Sequence, residues 1–346
     1  MPYVSAPSDV VARHAARRLA ALATPPGALG RLGELGAWIA SCQGQVPPVP
    51  VERVSLVIFA GDHGVAEHGV SAFPSAVTGA MVRTFVLGRA SVNALAAQHD
   101  VRVRVLDLGV DDDFEDLDPA VRAALTQHKV RRSSGAIHLE DALTEEQARG
   151  AMAAGATVAR EEVRAGAQLL LSGDMGIGNT TPAAAMVAAG LGVPATEVVG
   201  RGTGVDDETL AHKVAVVEAA LARAGDRAAD PLQTLCALGS ADLAATTGYL
   251  LAAAQDGVPV LLDGLMSVAC ALTADRFEPG AAAWFAAGHR STEPAQSLAL
   301  AKLGLEPLLD LGMRLGEGSG AVAAVPLLRS ATALLRDVAL LHELGT

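Results

Sequence analysis

The chain has 346 residues, of which 51% are hydrophobic and 18% are charged, which excludes an intrinsically disordered protein and leaves ample length for a large buried core. Its formal net charge of −12 argues against a protein that wraps nucleic acid or binds an anionic membrane surface. The three cysteines, Cys42, Cys236 and Cys270, are far apart and form no C-x-x-C pair, which argues against a disulfide scaffold or structural zinc and fits a reducing cytosol.

The first part of the chain predicts two helices. Asp9 is placed to cap a helix that reaches about Leu22, and a rigid turn over residues 24–30 separates it from a second helix over Arg31–Gln43. Residues 1–18 contain no apolar stretch of the kind that signal peptides carry, and the most apolar windows of the chain are interrupted by Pro, Gly or Asp. We therefore expect a cytoplasmic protein without a membrane span.

From residue 53 onward, short apolar runs that end in Gly, Asp or His alternate with helical stretches. Such runs are typical of buried parallel strands joined by crossover helices, and the alanine-rich composition favours close packing through small residues. The prediction is an α/β fold with a Rossmann-like, mostly parallel sheet flanked by helices, occupying residues 50–302. The five runs are Val54–Ala60, Val101–Leu108, Leu169–Ser172, Val258–Leu262 and Ala283–Ala286.

The last part of the chain returns to helix, with a long apolar helix predicted over Ala321–Leu341. We expect the two chain ends to pack together as a small helical domain made of residues 1–49 and 303–346. Ligands of parallel sheets bind just beyond the carboxyl ends of the strands, and the polar residues that follow the apolar runs therefore mark a site.

Two glycine-rich loops are candidates for binding a phosphate. Gly176–Thr181 follows a strand and opens a helix, whose N-terminus offers N–H groups to an anion. It has neither the Gly-Lys-Ser/Thr of a Walker A loop nor the acidic residue that completes a dinucleotide-binding motif, and an ordinary strand-to-helix turn stays an alternative. Gly200–Gly204 is the second loop, and Asp206 or Asp207 after it can simply cap the next helix.

Carboxylates and histidines near strand ends are further candidates. Glu317 stands among three glycines just before an apolar helix that Ser319 can cap, and an exposed loop glutamate is the alternative interpretation. No dense cluster of potential ligands has metal-ligand spacing, so we predict no metal site. No Ser or Cys lies in a nucleophile elbow, which argues against a serine or cysteine nucleophile. Several aspartates can act in a site or as turn and cap residues: these are Asp62, Asp174, Asp242 and Asp263.

Together these motifs resemble the nicotinate-nucleotide–dimethylbenzimidazole phosphoribosyltransferases, enzymes of the lower-ligand branch of cobalamin synthesis. The matching blocks run in the family's order along nearly the whole chain, and the last is the most specific. They are Pro25–Leu32, Phe59–Ala66, Gly69–Pro74, Gly176–Pro182, Gly200–Gly204, His289–Pro294 and Leu309–Ala321.

The resemblance implies a homodimer with a Rossmann-like sheet and a small helical domain from both chain ends. It implies transfer of the phosphoribosyl group of nicotinate mononucleotide to 5,6-dimethylbenzimidazole, giving α-ribazole 5′-phosphate and nicotinate. The partners are then small molecules, with no nucleic acid, no membrane and no cofactor. The leaving group is already a cationic pyridinium and needs neither an acid nor a metal. The base attacks C1′ with inversion and must lose a proton, so one carboxylate is the minimum requirement.

The resemblance also assigns residues. Glu317 is implied to be the catalytic base, and Asp174, at a strand end that faces the same cleft, is the reserve candidate. The implied nucleotide- and phosphate-binding residues are Gly176, Ile177, Gly178, Asn179, Thr180, Thr181, Gly202, Thr203, Gly204, Ser319 and Gly320. The implied base-binding residues are Phe73, Pro74, Ser75, Met175 and Leu315. The other polar candidates are Asp62, His63, Asp242, Asp263 and His289.

The chain departs from the family's pattern at five places, of which two are Thr24 before Pro25 and Ala295-Gln296 after Pro294. Asp174 and Asp242 stand where the family commonly has Glu, which shortens the side chain and keeps the charge. Ser75–Ala80 replaces a Gln-Glu-Val-Thr-x-Gln stretch beside the implied base pocket. Two alternatives therefore stay open, namely the same chemistry on another base, such as adenine or a phenol, and a nucleotide-binding regulator without catalysis.

Overall fold

The computed structural model describes residues 4–345 and alternates strands with helices, as the sequence predicts. Residues 1–3 and 346, which belong to the ranges predicted for the small domain, lie outside the described part. The strands are β1 (Val54–Gly61), β2 (Val101–Gly109), β3 (Leu169–Met175), β4 (Val260–Leu262) and β5 (Phe285–Ala287). The helices are α1 (Asp9–Ala21), α2 (Gly30–Gln43), α3 (Val77–Val86), α4 (Ser91–Gln98), α5 (Pro119–Thr126), α6 (Glu145–Arg164), α7 (Thr180–Leu191), α8 (Ala195–Val198), α9 (Asp207–Ala224), α10 (Pro231–Leu238), α11 (Ala241–Gln255), α12 (Leu265–Phe277), α13 (Pro294–Leu303) and α14 (Ser319–Asp337).

The five strands form one sheet in the order β2-β1-β3-β4-β5, and every neighbouring pair is parallel. The predicted α/β fold is therefore confirmed, and each predicted apolar run overlaps a strand. β4 begins later than predicted because the N–H of Val258 donates to Ala253 O over 2.8 Å and closes the end of α11. β5 begins later because a 3₁₀ turn covers Ala281–Trp284.

Side chains of β1 alternate between two cores, one on each face of the sheet. Leu56 and Ile58 are buried in a cluster with residues of α2, α4 and α14. Val57 and Phe59 point to the other face, into the larger cluster that contains α6, α7, α11 and α12. All four positions are apolar because crossover helices cover both faces of the strand.

Small residues allow the helices of the larger core to lie close together. A Cβ at Gly155 of α6 would overlap the backbone of Ala245 in α11, and a Cβ at Gly248 would overlap the backbone of Met152. This close approach confirms the packing expected from the composition. Among residues 4–345, no helix combines the length and the apolar character that a membrane span requires.

The two ends of the chain contact each other. Arg18 of α1 donates hydrogen bonds to Leu335 O at 2.7 Å and Arg336 O at 3.0 Å, and Leu22 forms a β-bridge with Leu340. α14 ends at Asp337, earlier than predicted, because the chain then extends toward this bridge.

The expected cap of α1 is wrong by one residue. Ser8 is the N-cap, and its hydroxyl accepts a hydrogen bond from the N–H of Val11 at 3.3 Å, whereas Asp9 is the first residue of the helix. Serine is as good an N-cap as aspartate, and Asp9 still places its charge at the positive end of the helix.

Candidate active site

A cleft of about 220 Å³ opens at the carboxyl ends of β3, β4 and β5. Most of the predicted site residues line it. These are Phe73, Asp174, Met175, Gly176, Ile177, Gly178, Asn179, Thr180, Gly202, Thr203, His289, Leu315 and Glu317. The remaining predicted residues lie outside the lining and are Pro74, Ser75, Thr181, Gly204, Ser319, Gly320, Asp62, His63, Asp242 and Asp263.

The first glycine-rich loop joins β3 to α7, as predicted. Two hydrogen bonds hold its backbone in place. The N–H of Ile177 donates to Thr78 Oγ1 of α3 at 3.1 Å, and the N–H of Thr181 donates to Gly178 O within the loop at 3.0 Å. Gly178 has φ of +86°, a left-handed conformation that glycine adopts without strain. The loop therefore presents the N-terminus of α7 to the cleft in a fixed shape, which suits an anion.

Lys213 connects the two glycine-rich loops, although it was not among the predicted site residues. Its side chain is 1% exposed, and Nζ donates to Thr180 Oγ1 at 2.7 Å and to Gly200 O at 3.1 Å. Burial lowers the pKa of Lys213, and the charge of Glu293 opposes that shift. A buried cation beside a helix N-terminus is an attractive position for a phosphate group.

The sequence carries a signal for Lys213. Leu210, Val214 and Val217 of α9 recur at helical spacing and define the apolar face, and Lys213 lies on that face three residues after Leu210. A lysine at such a position either extends its charge to solvent or carries it into a site.

Glu293 organises the second loop, and it too was missed. Its Oε1 accepts a hydrogen bond from the N–H of Gly202 at 2.8 Å, and its Oε2 is buried without a hydrogen-bond partner. At the rim, Arg314 Nη1 lies 3.4 Å from Gly202 O, and Arg201 pairs with Asp207. The prediction that Asp206 or Asp207 caps α9 is confirmed for Asp206, which accepts from the N–H of Thr209.

A second part of the cleft lining is apolar and is called the apolar end. Met175 and Leu315 line it as predicted, together with Val77, Met81 and Met266. Flat heteroaromatic rings fit such surfaces, because thioethers and aliphatic groups contact ring faces favourably.

Phe73 is the part of the predicted base-binding loop that reaches the cleft, and half of its side chain is exposed. Ser75 instead donates its hydroxyl hydrogen to Glu67 Oε1 at 2.6 Å, outside the lining. Among the described residues of this loop, Val70 and Ser71 take the lining positions that were expected for Pro74 and Ser75.

Glu317 lies at the junction of the cleft and the C-terminal segment. It is 5% exposed, and its Oε2 is buried without a hydrogen-bond partner, which contradicts the interpretation as an exposed loop glutamate. Burial raises the pKa of Glu317, the backbone N–H of Val92 opposes this shift, and the charge of Asp263 adds to it. An enclosed carboxylate with a raised pKa is suited to accept a proton.

Asp263 stands behind Glu317 and caps α14. Its carboxylate accepts hydrogen bonds from the N–H groups of Gly318 at 3.0 Å, Gly320 at 2.8 Å and Ala321 at 3.1 Å. His289 Nε2 lies 3.5 Å from Asp263 Oδ1. Burial alone would raise the pKa of Asp263, but the hydrogen bonds from His289 and the backbone outweigh it and hold the pKa below its usual value.

The expectation that Ser319 caps α14 is wrong. Ser319 is the first residue of the helix, and its hydroxyl donates to Gly316 O at 2.7 Å. Ser319 and Gly320 are packed behind the loop, where a Cβ at Gly320 would overlap the ring of His289.

Asp174 belongs to a buried acidic cluster below the cleft. Its Oδ1 accepts a hydrogen bond from Asn179 Nδ2 at 2.6 Å. Burial and the neighbouring charge of Asp242 raise its pKa well above the usual value, and burial raises the pKa of Asp242 to about 6. Both carboxyl groups therefore favour their protonated form more than an exposed aspartate does, and Asp174 is poorly suited to accept a further proton.

His63 and Asp62 complete this cluster. His63 Nε2 lies 3.5 Å from Asp242 Oδ2, and burial lowers the pKa of His63. Asp62 Oδ2 accepts from the N–H of Asp111 at 2.8 Å. Within residues 4–345, no group of three or more His, Cys, Asp or Glu side chains is arranged to hold a metal ion.

Comparisons with known proteins show the family and the fold of this chain. A family model described as phosphoribosyltransferase matches residues 4–345. The nicotinate-nucleotide–dimethylbenzimidazole phosphoribosyltransferase of Mycobacterium marinum is 52% identical over 343 residues, which are 99% of this chain and 94% of the relative. That of Mycobacterium leprae strain TN is 48% identical over 342 residues, 99% of this chain and 96% of the relative.

A solved structure is also similar to this chain in sequence and in fold. The crystal structure of CobT from Thermus thermophilus is 43% identical, covers 97% of this chain and 99% of its own, and superposes with a TM-score of 0.92. Its likeness confirms the fold, and the relatives confirm the resemblance that the sequence motifs indicate. The chain belongs to the nicotinate-nucleotide–dimethylbenzimidazole phosphoribosyltransferase family.

Proposed function

We propose that this protein transfers the phosphoribosyl group of nicotinate mononucleotide to 5,6-dimethylbenzimidazole, giving α-ribazole 5′-phosphate and nicotinate. The observation that carries the proposal is one cleft whose lining combines a buried cation, Lys213, with an enclosed carboxylate, Glu317. Apolar side chains share the same lining, as the transfer of a phosphorylated sugar to an aromatic base requires.

The phosphate end binds the nucleotide. The 5′-phosphate is placed against the N-terminus of α7 and the Gly202–Gly204 loop, with Lys213 as the counter-ion. Thr180 contributes its hydroxyl, which already accepts a hydrogen bond from Lys213 at 2.7 Å. The helix N-terminus and the lysine together offset the two negative charges of a phosphate.

The apolar end binds the benzimidazole ring. Met175, Met266 and Leu315 contact its faces, and Glu317 accepts the proton from one ring nitrogen while the other nitrogen attacks C1′. The attack occurs opposite to the pyridinium leaving group and inverts the sugar from β to α. Because the ring nitrogen of the departing nicotinate becomes neutral, no acid is needed, and the carboxylate is the minimum catalytic requirement.

Asp174 has a different role in this proposal. Burial and the charge of Asp242 raise its pKa well above the usual value, and it accepts a hydrogen bond from the side chain of Asn179 in the phosphate loop. We therefore assign it to the positioning of that loop and leave the base role to Glu317.

The assembly and location follow the family. We propose a homodimer in the cytoplasm that uses small-molecule substrates and no cofactor. We also propose a division into a large substrate-binding domain, residues 50–302, and a small helical domain, residues 1–49 and 303–346. The contacts of Arg18 with Leu335 and of Leu22 with Leu340 support the second unit.

The test is direct. The purified protein is mixed with nicotinate mononucleotide and 5,6-dimethylbenzimidazole, and the product is analysed for the α-linked nucleotide by chromatography and NMR. Adenine and phenols are added in competition, because a preferred incorporation of one of them would replace the proposed base. Binding of the nucleotide without turnover of any base would instead indicate a regulator.

A further inference from the structure

We propose that Asp263, held by His289, is a positioning residue that fixes the backbone of the Glu317 loop and presents a negative charge to the Glu317 carboxyl group. The inference rests on the proposed phosphoribosyl transfer and adds to it a residue that does not line the cleft.

The first part of the argument is the missing local cap of α14. Gly318 occupies the N-cap position and has no side chain, and the hydroxyl of Ser319 is used by Gly316 O. The first N–H groups of a helix need acceptors, particularly when they are buried. Asp263 supplies them from the end of β4, with hydrogen bonds of 3.0, 2.8 and 3.1 Å to three backbone N–H groups.

The second part is the backbone conformation of the loop. Gly316, Glu317 and Gly318 have φ angles of +80°, +66° and +90°, so three successive residues are left-handed. Glutamate rarely adopts this conformation, and the surrounding structure has to impose it. The hydrogen bond from the Gly318 N–H to Asp263 orients the peptide group directly after Glu317. A Cβ at Gly173 would overlap Glu317 O, so β3 holds the other side of the same peptide group.

The third part is that Asp263 is itself held in place. Gln296 is fully buried, and its Nε2 donates to Asp263 O at 3.2 Å and to His289 O at 2.8 Å. The ring of His289 packs on Gly320, where only glycine leaves room for it. These contacts fix the position of Asp263, and the N–H groups that follow Glu317 bond to its carboxylate.

The fourth part is electrostatic. The groups that face Glu317 are Asp263 after β4, with His289 behind it, and the N–H of Val92 at the start of α4, while Asp174 lies at the end of the adjacent β3. Burial raises the pKa of Glu317, the Val92 N–H lowers it, and Asp263 raises it further. A carboxylate with a raised pKa is a stronger base, and the charge of Asp263 therefore assists proton transfer as well as position.

The main test is Asp263→Asn in the full chain, which keeps the size and removes the charge. We expect kcat to fall by up to about 100-fold, while KM for both substrates stays within about threefold. The acid limb of the pH profile should move to lower pH, because the pKa of Glu317 falls when the neighbouring charge is lost. A purely structural role would leave that limb in place.

The matched control is Asp107→Asn. Asp107 is also fully buried, accepts from the Val110 N–H at 2.7 Å and pairs with Lys129 at 2.8 Å, but it does not line the cleft. It should cost stability and leave kcat per folded molecule and the pH profile unchanged. Equal losses of kcat in both variants would overturn the proposal.

Amide hydrogen exchange separates this inference from the proposed reaction. If the wild type forms no product, the proposed function fails, and exchange at Gly318–Ala321 still tests the anchor. We expect faster exchange there in Asp263→Asn, and unchanged exchange would overturn the proposal. If Asp263→Asn does not fold, His289→Asn is measured in its place. A wild-type kcat together with wild-type amide exchange in His289→Asn would also overturn the proposal.

Discussion

Lys213 donates a hydrogen bond from its buried ammonium group to Thr180 Oγ1 over 2.7 Å, and so joins α9 to the first turn of α7. The same ammonium group reaches Gly200 O at 3.1 Å, which places one cation between both glycine-rich loops. Nucleotide binding should depend on this arrangement, and proton transfer should depend on the carboxylates that line the same cleft.

Replacing Lys213 with methionine should weaken nucleotide binding. The variant keeps the length of the side chain but loses a charge-assisted hydrogen bond, so KM for nicotinate mononucleotide should rise by about 10- to 100-fold. The matched control is Lys302→Met, at an exposed lysine of α13, which should bind the nucleotide normally. Steady-state kinetics in both substrates measures the effect. An unchanged KM for the nucleotide in Lys213→Met would place the phosphate elsewhere.

Replacing Glu317 with glutamine should remove the base and preserve the shape of the cleft. We expect a loss of about 100- to 10,000-fold in turnover with the benzimidazole still bound. Turnover of the wild type should also decline as the pH falls through the raised pKa of Glu317, because the protonated carboxyl group cannot accept a proton. Asp174→Asn is the comparison and should lose much less. A dead Asp174→Asn beside a nearly normal Glu317→Gln would reverse the two roles.

The raised pKa of the buried Asp242 predicts a dependence of stability on pH. Burial raises the pKa of Asp242 to about 6, above the value of about 4 in an unfolded chain. Folding therefore binds a proton, so the favourable contribution is complete below about pH 4 and is lost as the pH rises through about 6.

Asp242→Asn cannot ionise and should escape this loss. Relative to the wild type, its free energy of unfolding should increase between pH 4 and pH 7 by about 1 kcal/mol or more. Urea unfolding at several pH values measures the difference, with Asp310→Asn, at a carboxylate that is 70% exposed, as the control. Parallel stability curves for Asp242→Asn and the wild type would contradict the raised pKa of Asp242.

Replacing Met266 with alanine should weaken binding of the aromatic base. Met266 lines the apolar end of the cleft and is 9% exposed. Truncation removes apolar contact with the base, which should lower its binding free energy by about 1–2 kcal/mol. KM for the base should rise by about 5- to 30-fold with a smaller change in kcat. Met152→Ala, in α6 and outside the cleft lining, is the control. A larger effect on nucleotide binding than on base binding would refute the assignment of this end.

Chelation should leave the reaction intact. The pyridinium leaving group carries its own positive charge, and a carboxylate is sufficient to remove the proton, so no step of the proposed chemistry calls for a metal ion. The measurement is turnover after dialysis against EDTA. Loss of turnover that a divalent ion restores would show that the mechanism is wrong.

The sheet and the loops at its edge were accessible from the sequence because their signals are local. An apolar run such as Leu169–Ser172 followed by glycines has few structural interpretations, and parallel topology then brings the strand ends together. The family motifs added Glu317, whose neighbouring glycines alone leave its role open. The roles of the predicted site residues stay predictions until variants are measured.

The remaining parts of the site depend on contacts that a local pattern does not specify. The sequence places Lys213 on the apolar face of α9, but the partners of its charge follow only once α9 is packed against the loop at Gly200. The cap of α14 comes from Asp263, on a different strand, whereas the sequence pointed to the nearby Ser319. Burial decides such choices, because a carboxylate that can satisfy three N–H groups is preferred to a hydroxyl that can satisfy one.

The packing of α14 against α1 and α2 also determines the order in which the protein can be completed during synthesis. The ribosome releases the N-terminal helices first, and their apolar faces stay uncovered until α14 leaves the exit tunnel. The proposed base, Glu317, arrives almost as late. A chain released early therefore carries the nucleotide loops without the carboxylate, together with an exposed apolar surface that chaperones and proteases recognise. An unfinished chain therefore lacks, in one C-terminal segment, both the cover of its N-terminal helices and the proposed catalytic base.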